Sequence, residues 1–274
     1  MSWWGMNALE GTAGHAADTE GKFKLIAESG FDGINAFVPA PEESGLWKEL
    51  LHKYGLSFSV NAYPASLKDM SDFLDKAAAF GNIDYINAQV MTPFLIGDSA
   101  LELLSGIDAL ARQAGIPVFI ETHRGTITQD LIRTRQFLES LPLLKLTIDY
   151  SHYVLAGEMH TVSPEAEQML QSLLPYACSI HTRISNGEQI QIDPGEAGDH
   201  PMLPHFARWW ESAMRHWLKG ARRDNEIFPV VIELGPPSYA ITRDVAGSGQ
   251  TEVSDRWLQS LYLKKLVKQL WQNL

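Results

Sequence analysis

The chain has 274 residues, 45% hydrophobic and 20% charged, an ordinary globular composition that excludes a disordered or fibrous chain. Its formal net charge of −11 repels phosphate backbones and argues against nucleic-acid binding. One cysteine, Cys178, excludes an internal disulfide framework and reads as a small buried residue in "YACSI".

No apolar run approaches the ~18 residues of a membrane span. "MSWWGMNALE" lacks the basic region and apolar core of a secretory leader, so a cytoplasmic protein with no membrane partner is expected. The length suits one α/β barrel or two smaller domains.

The first apolar run is "SWWGM" (2–6), a strand candidate. "DTEGKFKLIAES" (18–29) reads as a helix capped by Asp18 and ended by Gly30. "FDGINAFV" (31–38) is a strand and "PEESGLWKELLHKY" (41–54) a helix with Gly55 after its end. The same unit recurs as strand 56–63 with helix 66–80, strand 85–90 with helix 99–114, and strand 117–123 with helix 128–141. Strand 144–150 precedes helix 163–177, where Ser163 caps and Pro164 opens the first turn. Strand 178–184, helix 202–220, strand 229–235 and helix 254–273 complete the chain.

Eight strand candidates thus alternate with eight helix candidates, which implies parallel strands joined by helical crossovers. Eight units over 1–274 predict a single α/β domain, a closed (β/α)8 TIM barrel. A doubly wound open sheet is the alternative. It usually carries a glycine-rich phosphate turn after its first strand, and "NALEGTAGHAAD" has Gly11 and Gly14 without that spacing.

A barrel of this kind does its chemistry at the C-terminal ends of its strands. The fifth strand ends in Glu121, with His123 and Arg124 beyond it; the sixth ends in Asp149, with His152 three residues on. The seventh carries His181 and then Arg183, and the eighth ends in Glu233. Earlier strands end more softly, in Met6 and Asn7, Asn35, Asn61 and Gln89. Three carboxylates and an imidazole at one depth would repel each other and raise their pKa values, a conflict that a divalent cation removes. The oxygen-rich donor set suits one Mn²⁺, Mg²⁺ or Co²⁺ ion, with Zn²⁺ a further candidate. Neutralisation by Arg124 or Arg183 is the competing explanation.

Taken singly, each of these residues reads as a helix cap, a loop charge or a structural histidine. Their shared register on adjacent strands is what favours a site. Trp209, Trp210 and Trp217 lie at helical spacing and read as packing. Trp3, Trp4 and Tyr63 serve either a sugar face or the core. Two long loops, 185–201 and 236–253, follow late strands and should overhang the same rim as lids, binding loops or subunit contacts of a homo-oligomer. Asp193, Asp199 and His200 in the first are candidate contacts, with a solvated loop the plainer reading. "GARRDN" (220–225), the densest basic stretch, reads as a solvated helix end.

The series "FIETH", "TIDYSH", "SIHTR" and "VIELG" resembles the xylose isomerase-like TIM barrel superfamily, which includes sugar epimerases and the AP endonucleases of family 2. Its most specific piece is D-x-x-H at Asp149–His152. The ketose epimerase branch implies that Glu121, Asp149, His181 and Glu233 hold one divalent metal and that His152 contacts a substrate oxygen. Departures are visible. Asn61 and Gln89 stand where the endonucleases place further metal histidines, and Glu188 stands near the epimerases' arginine, with Arg183 a candidate substitute.

The implied chemistry is proton abstraction next to a carbonyl of a small sugar or polyol substrate, through a metal-stabilised enediolate. Glu121 and Glu233 would act as the acid–base pair, with His152, Arg183, His123 and Arg124 contacting substrate. Isomerisation, epimerisation and dehydration all start this way. A metal-dependent phosphodiesterase of the AP endonuclease type and a non-catalytic ligand-binding barrel are the other readings.

Overall fold

The computed structural model describes residues 1–9, 18–220, 226–243 and 251–274. Gly11, Gly14, His15, the two arginines of the basic stretch and the tip of the 236–253 loop lie outside the described residues. Seven strands form one parallel sheet in sequence order: β1 (Gly33–Ala36), β2 (Ser57–Ala62), β3 (Ile86–Ala88), β4 (Val118–Glu121), β5 (Leu146–Ile148), β6 (Ala177–His181) and β7 (Val230–Val231). The helices are α1 (Thr19–Glu28), α2 (Ser44–Tyr54), α3 (Leu67–Phe80), α4 (Gly97–Ala114), α5 (Leu131–Ser140), α6 (Ser151–Ala156), α7 (Pro164–Leu173), α8 (Leu203–Lys219) and α9 (Arg256–Gln272).

The first strand candidate, 2–6, is corrected by the structure. Only Ser2 bridges to Asn35, and Trp4–Met6 is a 3-10 turn. The two adjacent tryptophans explain the break. Trp3 enters an aromatic cluster 5.4 Å from Phe23 and 4.7 Å from Trp47, whereas Trp4 meets Tyr239 edge-on at 4.9 Å. The short segment still closes the barrel. Trp3 N–H donates to Asn35 O (2.7 Å) on one side, and Ser2 N–H donates to Ile232 O (3.0 Å) on the other. The array is therefore an α/β TIM barrel whose eighth stave is a single bridged residue.

The helices start where their caps allow. Asp18, Ser66, Asp130 and Ser163 each accept a backbone N–H of the first turn, worth about 1 kcal/mol apiece. Helix α6 was not legible as a helix. It is only 6 residues long and follows β5 after two residues, so it has no room for a periodic apolar stripe.

Alternation divides each strand. Ile34, Phe58, Val60, Ile86, Val118, Ile120, Leu146, Ile148 and Ile180 are buried in the apolar core shared with the helices. Trp209 and Trp210 of α8 are fully buried in that layer, so they pack as expected. Most alternate positions are polar and buried, namely Asn35, Ser59, Asn61, Asn87, Thr147 and Ser179, with Phe119 and Val231 the apolar exceptions. Asn35 bonds Ser59 (3.1 Å) and Asn87 bonds Asn61 (3.1 Å) across neighbouring strands. The barrel interior is thus a polar bed under the strand ends. Among the described residues, no helix is long and apolar enough to cross a membrane.

Candidate metal centre

Glu121 closes β4, Asp149 follows β5, His181 closes β6, and Glu233 lies two residues beyond β7. Parallel strands in near register bring these ends to one level. One ligand atom from each of the four lies within 4.8 Å of the others, a span that suits a divalent ion with bonds of about 2.0–2.4 Å. His181 Nδ1 is 3.0 Å from Glu233 Oε2 and 3.4 Å from Glu121 Oε1.

Asn87 and Gln89 on β3 hold one oxygen of Glu121. Their side-chain amides donate to Oε2 at 2.6 and 2.9 Å. The other oxygen, Oε1, is buried with no hydrogen-bond partner. A buried carboxylate oxygen without a donor is costly, and a cation bound by the four residues would relieve it. Asp149 is fixed in the same way. Its Oδ1 accepts the backbone N–H (3.0 Å) and hydroxyl (2.5 Å) of Ser151, and its Oδ2 accepts from the guanidinium of Arg183.

Arg183 also supplies positive charge here. Its buried guanidinium donates through Nη2 to Asp149 Oδ2 and, at 3.3 Å, to Glu233 Oε2, and its Nε donates to Ser151 Oγ at 3.1 Å. Neutralisation by arginine, the competing explanation for the converging carboxylates, is therefore present for two of them. Arg183 pairs with two of them from the β6 side, while Glu121 Oε1 faces only His181.

Burial pushes the Glu121 carboxyl up, but the adjacent His181 imidazolium more than reverses this and holds it below the usual carboxylate range. Burial lowers His181, yet Glu233 and Glu121 overcome it and leave the imidazole well above its ordinary value. At Asp149, burial prevails over the attraction of Arg183, and the carboxyl is raised. Burial, reinforced by the charges of His123 and Arg183, keeps His152 neutral.

His152 sits on α6 beside the cluster. Its Nε2 accepts from Arg183 Nη2 (3.1 Å), which places the proton of the neutral ring on Nδ1. That Nδ1 is buried and has no hydrogen-bond partner among the described residues. His123 is half-buried above it, ring centroids 3.8 Å apart. Thr126 and Thr128 clamp the turn that carries His123 and Arg124. Thr126 Oγ1 donates to His123 O (2.7 Å) and Thr128 Oγ1 accepts His123 N–H (3.3 Å). Gly125, at φ +73°, makes the turn a backbone that a side chain would strain.

The turn after β7 adds a residue that the sequence reading overlooked. Tyr239 lies under both guanidiniums, 4.9 Å from Arg183 and 5.1 Å from Arg124. Its hydroxyl is 3.4 Å from His123 Nε2. Gly235 admits Trp4 beneath this turn, since a Cβ there would lie 1.9 Å from the indole. Gln191 pins Gly235 with bonds of 2.7 and 3.0 Å. Nothing in the periodicity of the sequence marked Tyr239 or Asn87. The signal available for Asn87 was an amide in the middle of an apolar strand.

The 185–201 loop folds on itself. Asp193 bonds Gly195 N–H (2.8 Å) and Gln259 (3.2 Å), and His200 Nδ1 accepts Met202 N–H (3.1 Å). With Asp199, which crowds Gly195, these residues shape the loop and stay out of the four-residue cluster. Glu188 pairs with exposed His160 at 3.4 Å, away from the site. Across the mouth, after β1, β2 and β3, Phe37, Tyr63, Met91 and Phe94 are exposed.

No protein-family model and no curated protein matches the sequence. Solved structures match by fold. A xylose isomerase-like TIM barrel protein from Mycobacterium smegmatis, in complex with magnesium, is 16% identical, with a TM-score of 0.57 over 94% of this chain and 91% of that one. The probable 3-DHS dehydratase AsbF from Bacillus anthracis is 14% identical, TM-score 0.55, covering 97% of both chains. An AP endonuclease of family 2 from Brucella melitensis is 14% identical, TM-score 0.54, over 81% of this chain and 89% of that one. The fold is that of the xylose isomerase-like TIM barrels.

Proposed function

We propose that this barrel is a metal-dependent isomerase or epimerase that moves a proton next to the carbonyl of a small sugar or sugar derivative. The observation that carries the reading is the convergence of Glu121, Asp149, His181 and Glu233 on a span that fits one divalent ion. The magnesium-bound neighbour of the same fold supports an oxygen-rich divalent site. When bound, the ion would polarise the carbonyl and offset the negative charge that develops as the proton leaves.

The chain's own residues supply the rest. Glu121 and Glu233 both reach His181 Nδ1 from different strands, so each can present a carboxylate oxygen to a substrate carbon held at the cluster. One takes the proton; the other returns it, to the same carbon from the opposite face or to its neighbour. Asn87 and Gln89 hold Glu121 by the oxygen that does not face the cluster, so its geometry persists through a transfer. His152 Nδ1–H offers a buried donor with no protein acceptor, which suits a substrate oxygen.

One observation favours a second reading, a dehydratase with the same first step. The His123 imidazole and the Tyr239 hydroxyl lie at the cluster's open side, 3.4 Å from each other, where they could protonate a departing hydroxyl. The dehydratase among the structural neighbours fits that variant. The phosphodiesterase reading is the weakest of the three. Asn61 and Gln89 stand where that chemistry would need further metal ligands, yet Gln89 donates its side-chain amide to Glu121 and Asn61 accepts from Asn87, and the net charge of −11 opposes DNA.

The test is proton exchange. A sugar and polyol panel, incubated in deuterated water with Mn²⁺, is expected to yield substrates that incorporate deuterium beside the carbonyl. Glu121→Gln and Glu233→Gln should each abolish incorporation. Wild-type rates in both variants would remove their role, and release of water from the substrate would select the dehydratase.

A further inference from the structure

The mouth of the barrel is asymmetric. Its β1–β3 side exposes Phe37, Tyr63, Met91 and Phe94. Its β4–β5 side carries Arg124, His123 and His152, with Tyr239 leaning in from the β7 turn. Arg124 is exposed, yet among the described residues it makes no ion pair, in a chain with 33 aspartates and glutamates. It is not a loose surface side chain. The Thr126–Thr128 clamp fixes its turn, and Tyr239 holds its guanidinium plane at 5.1 Å.

Arg183 lies over the same tyrosine ring at 4.9 Å. Two like charges gathered on one ring repel, and only Arg183 has carboxylates to offset it. This mirrors the conflict among the carboxylates below, with the sign reversed. An anion above the cluster would relieve it. The buried Nδ1–H of His152 adds an unused donor on the same side.

We infer that Arg124, oriented by Tyr239, binds an anionic substituent of the substrate, a carboxylate or a phosphate, and so sets the enzyme's preference for acidic over neutral hydroxy-carbonyl compounds. The inference rests on the reading that the substrate sits at the Glu121–Glu233 cluster. The reacting carbon would lie over the cluster, with the anionic end toward Arg124 and the remaining apolar surface toward Phe37 and Tyr63. A guanidinium can meet either anion with two parallel hydrogen bonds, which an ammonium cannot do.

Calorimetry on the Mn²⁺-loaded protein separates the two levels of the argument. The probes are glycolohydroxamate, which is neutral and offers two adjacent oxygens, and two acidic relatives, succinic monohydroxamate and phosphoglycolohydroxamate. At least one acidic probe is expected to bind about tenfold tighter than the neutral one, in line with a charge-assisted hydrogen bond. In Arg124→Met that ratio should fall to about one, and in Arg124→Lys it should be partly restored. The better acidic probe tells carboxylate from phosphate. No binding of any probe would defeat the metal-site reading. Neutral binding with no acidic preference, or a preference that survives Arg124→Met, would overturn the anion subsite alone. Unchanged thermal midpoints in both variants confirm that folding is intact.

Discussion

Asn87 Nδ2 donates to Glu121 Oε2 at 2.6 Å, across 34 residues of sequence, and the other oxygen of the same carboxylate has no donor. With Gln89, which donates to the same oxygen at 2.9 Å, this contact orients the carboxylate and settles which oxygen is free for the proposed ion. Asn87→Ala should weaken Mn²⁺ binding about 10- to 100-fold, the usual effect of removing a group that orients a ligand. It should also cost about 1.5–3 kcal/mol of stability, since a buried charge loses a hydrogen bond. Titration calorimetry and urea unfolding measure the two effects separately.

Arg183 pairs with two of the carboxylates that the proposed metal would use. Arg183→Met should destabilise the metal-free protein by about 3–5 kcal/mol, because Asp149 loses the one cationic side chain that pairs with it among the described residues. Mn²⁺ should then raise the melting temperature more in the variant than in wild type. Equal or smaller stabilisation of the variant would show that Arg183 does not carry charge the ion otherwise would.

Metal loading should behave as mass action. At 100 times Kd, one ion per chain adds about 2.7 kcal/mol of stability. Metal analysis after reconstitution should find one ion, and Asp149→Asn or Glu233→Gln should lower occupancy without adding a second site. Two or three ions per chain would favour the phosphodiesterase reading.

The metal-free protein should lose stability on the alkaline side. His181 is raised above its ordinary value of 6.5, so its contribution is complete below pH 6.5 and disappears as pH climbs through its folded pKa. Glu121 is lowered from 4.5, so its contribution is present above pH 4.5 and disappears as pH falls through its folded pKa. Asp149 works the other way, taking stability away as pH rises from 3.8 through its raised folded pKa. Unfolding free energies in chelator should therefore decline above pH 6.5 in wild type, and this decline should vanish in His181→Gln. Mn²⁺ affinity should rise over the same range, because binding displaces the His181 proton.

Much of the fold was legible in chain order. Caps such as Asp18 and Ser163 and the alternation of apolar runs with helical stripes located the strands from β1 onward and the long helices. The segment "SWWGM" misled because two tryptophans in succession read as a strand, while the barrel sends one to the core and one to the mouth. Helix α6 escaped because 6 residues carry no period.

The ending charge of each late strand was equally legible, since a parallel strand delivers its last residue to the rim wherever the barrel closes. The sequence by itself therefore determined the barrel, its rim and the four ligand types that meet there. The tertiary structure alone decided which oxygen of Glu121 is free, that Arg183 lies against Asp149 and Glu233, and that Tyr239 sits under two guanidiniums. The reason is range. Alternation acts between neighbours along the chain, whereas a hydrogen bond or ion pair depends on distance in space, and these partners lie 34 to 50 residues apart or more.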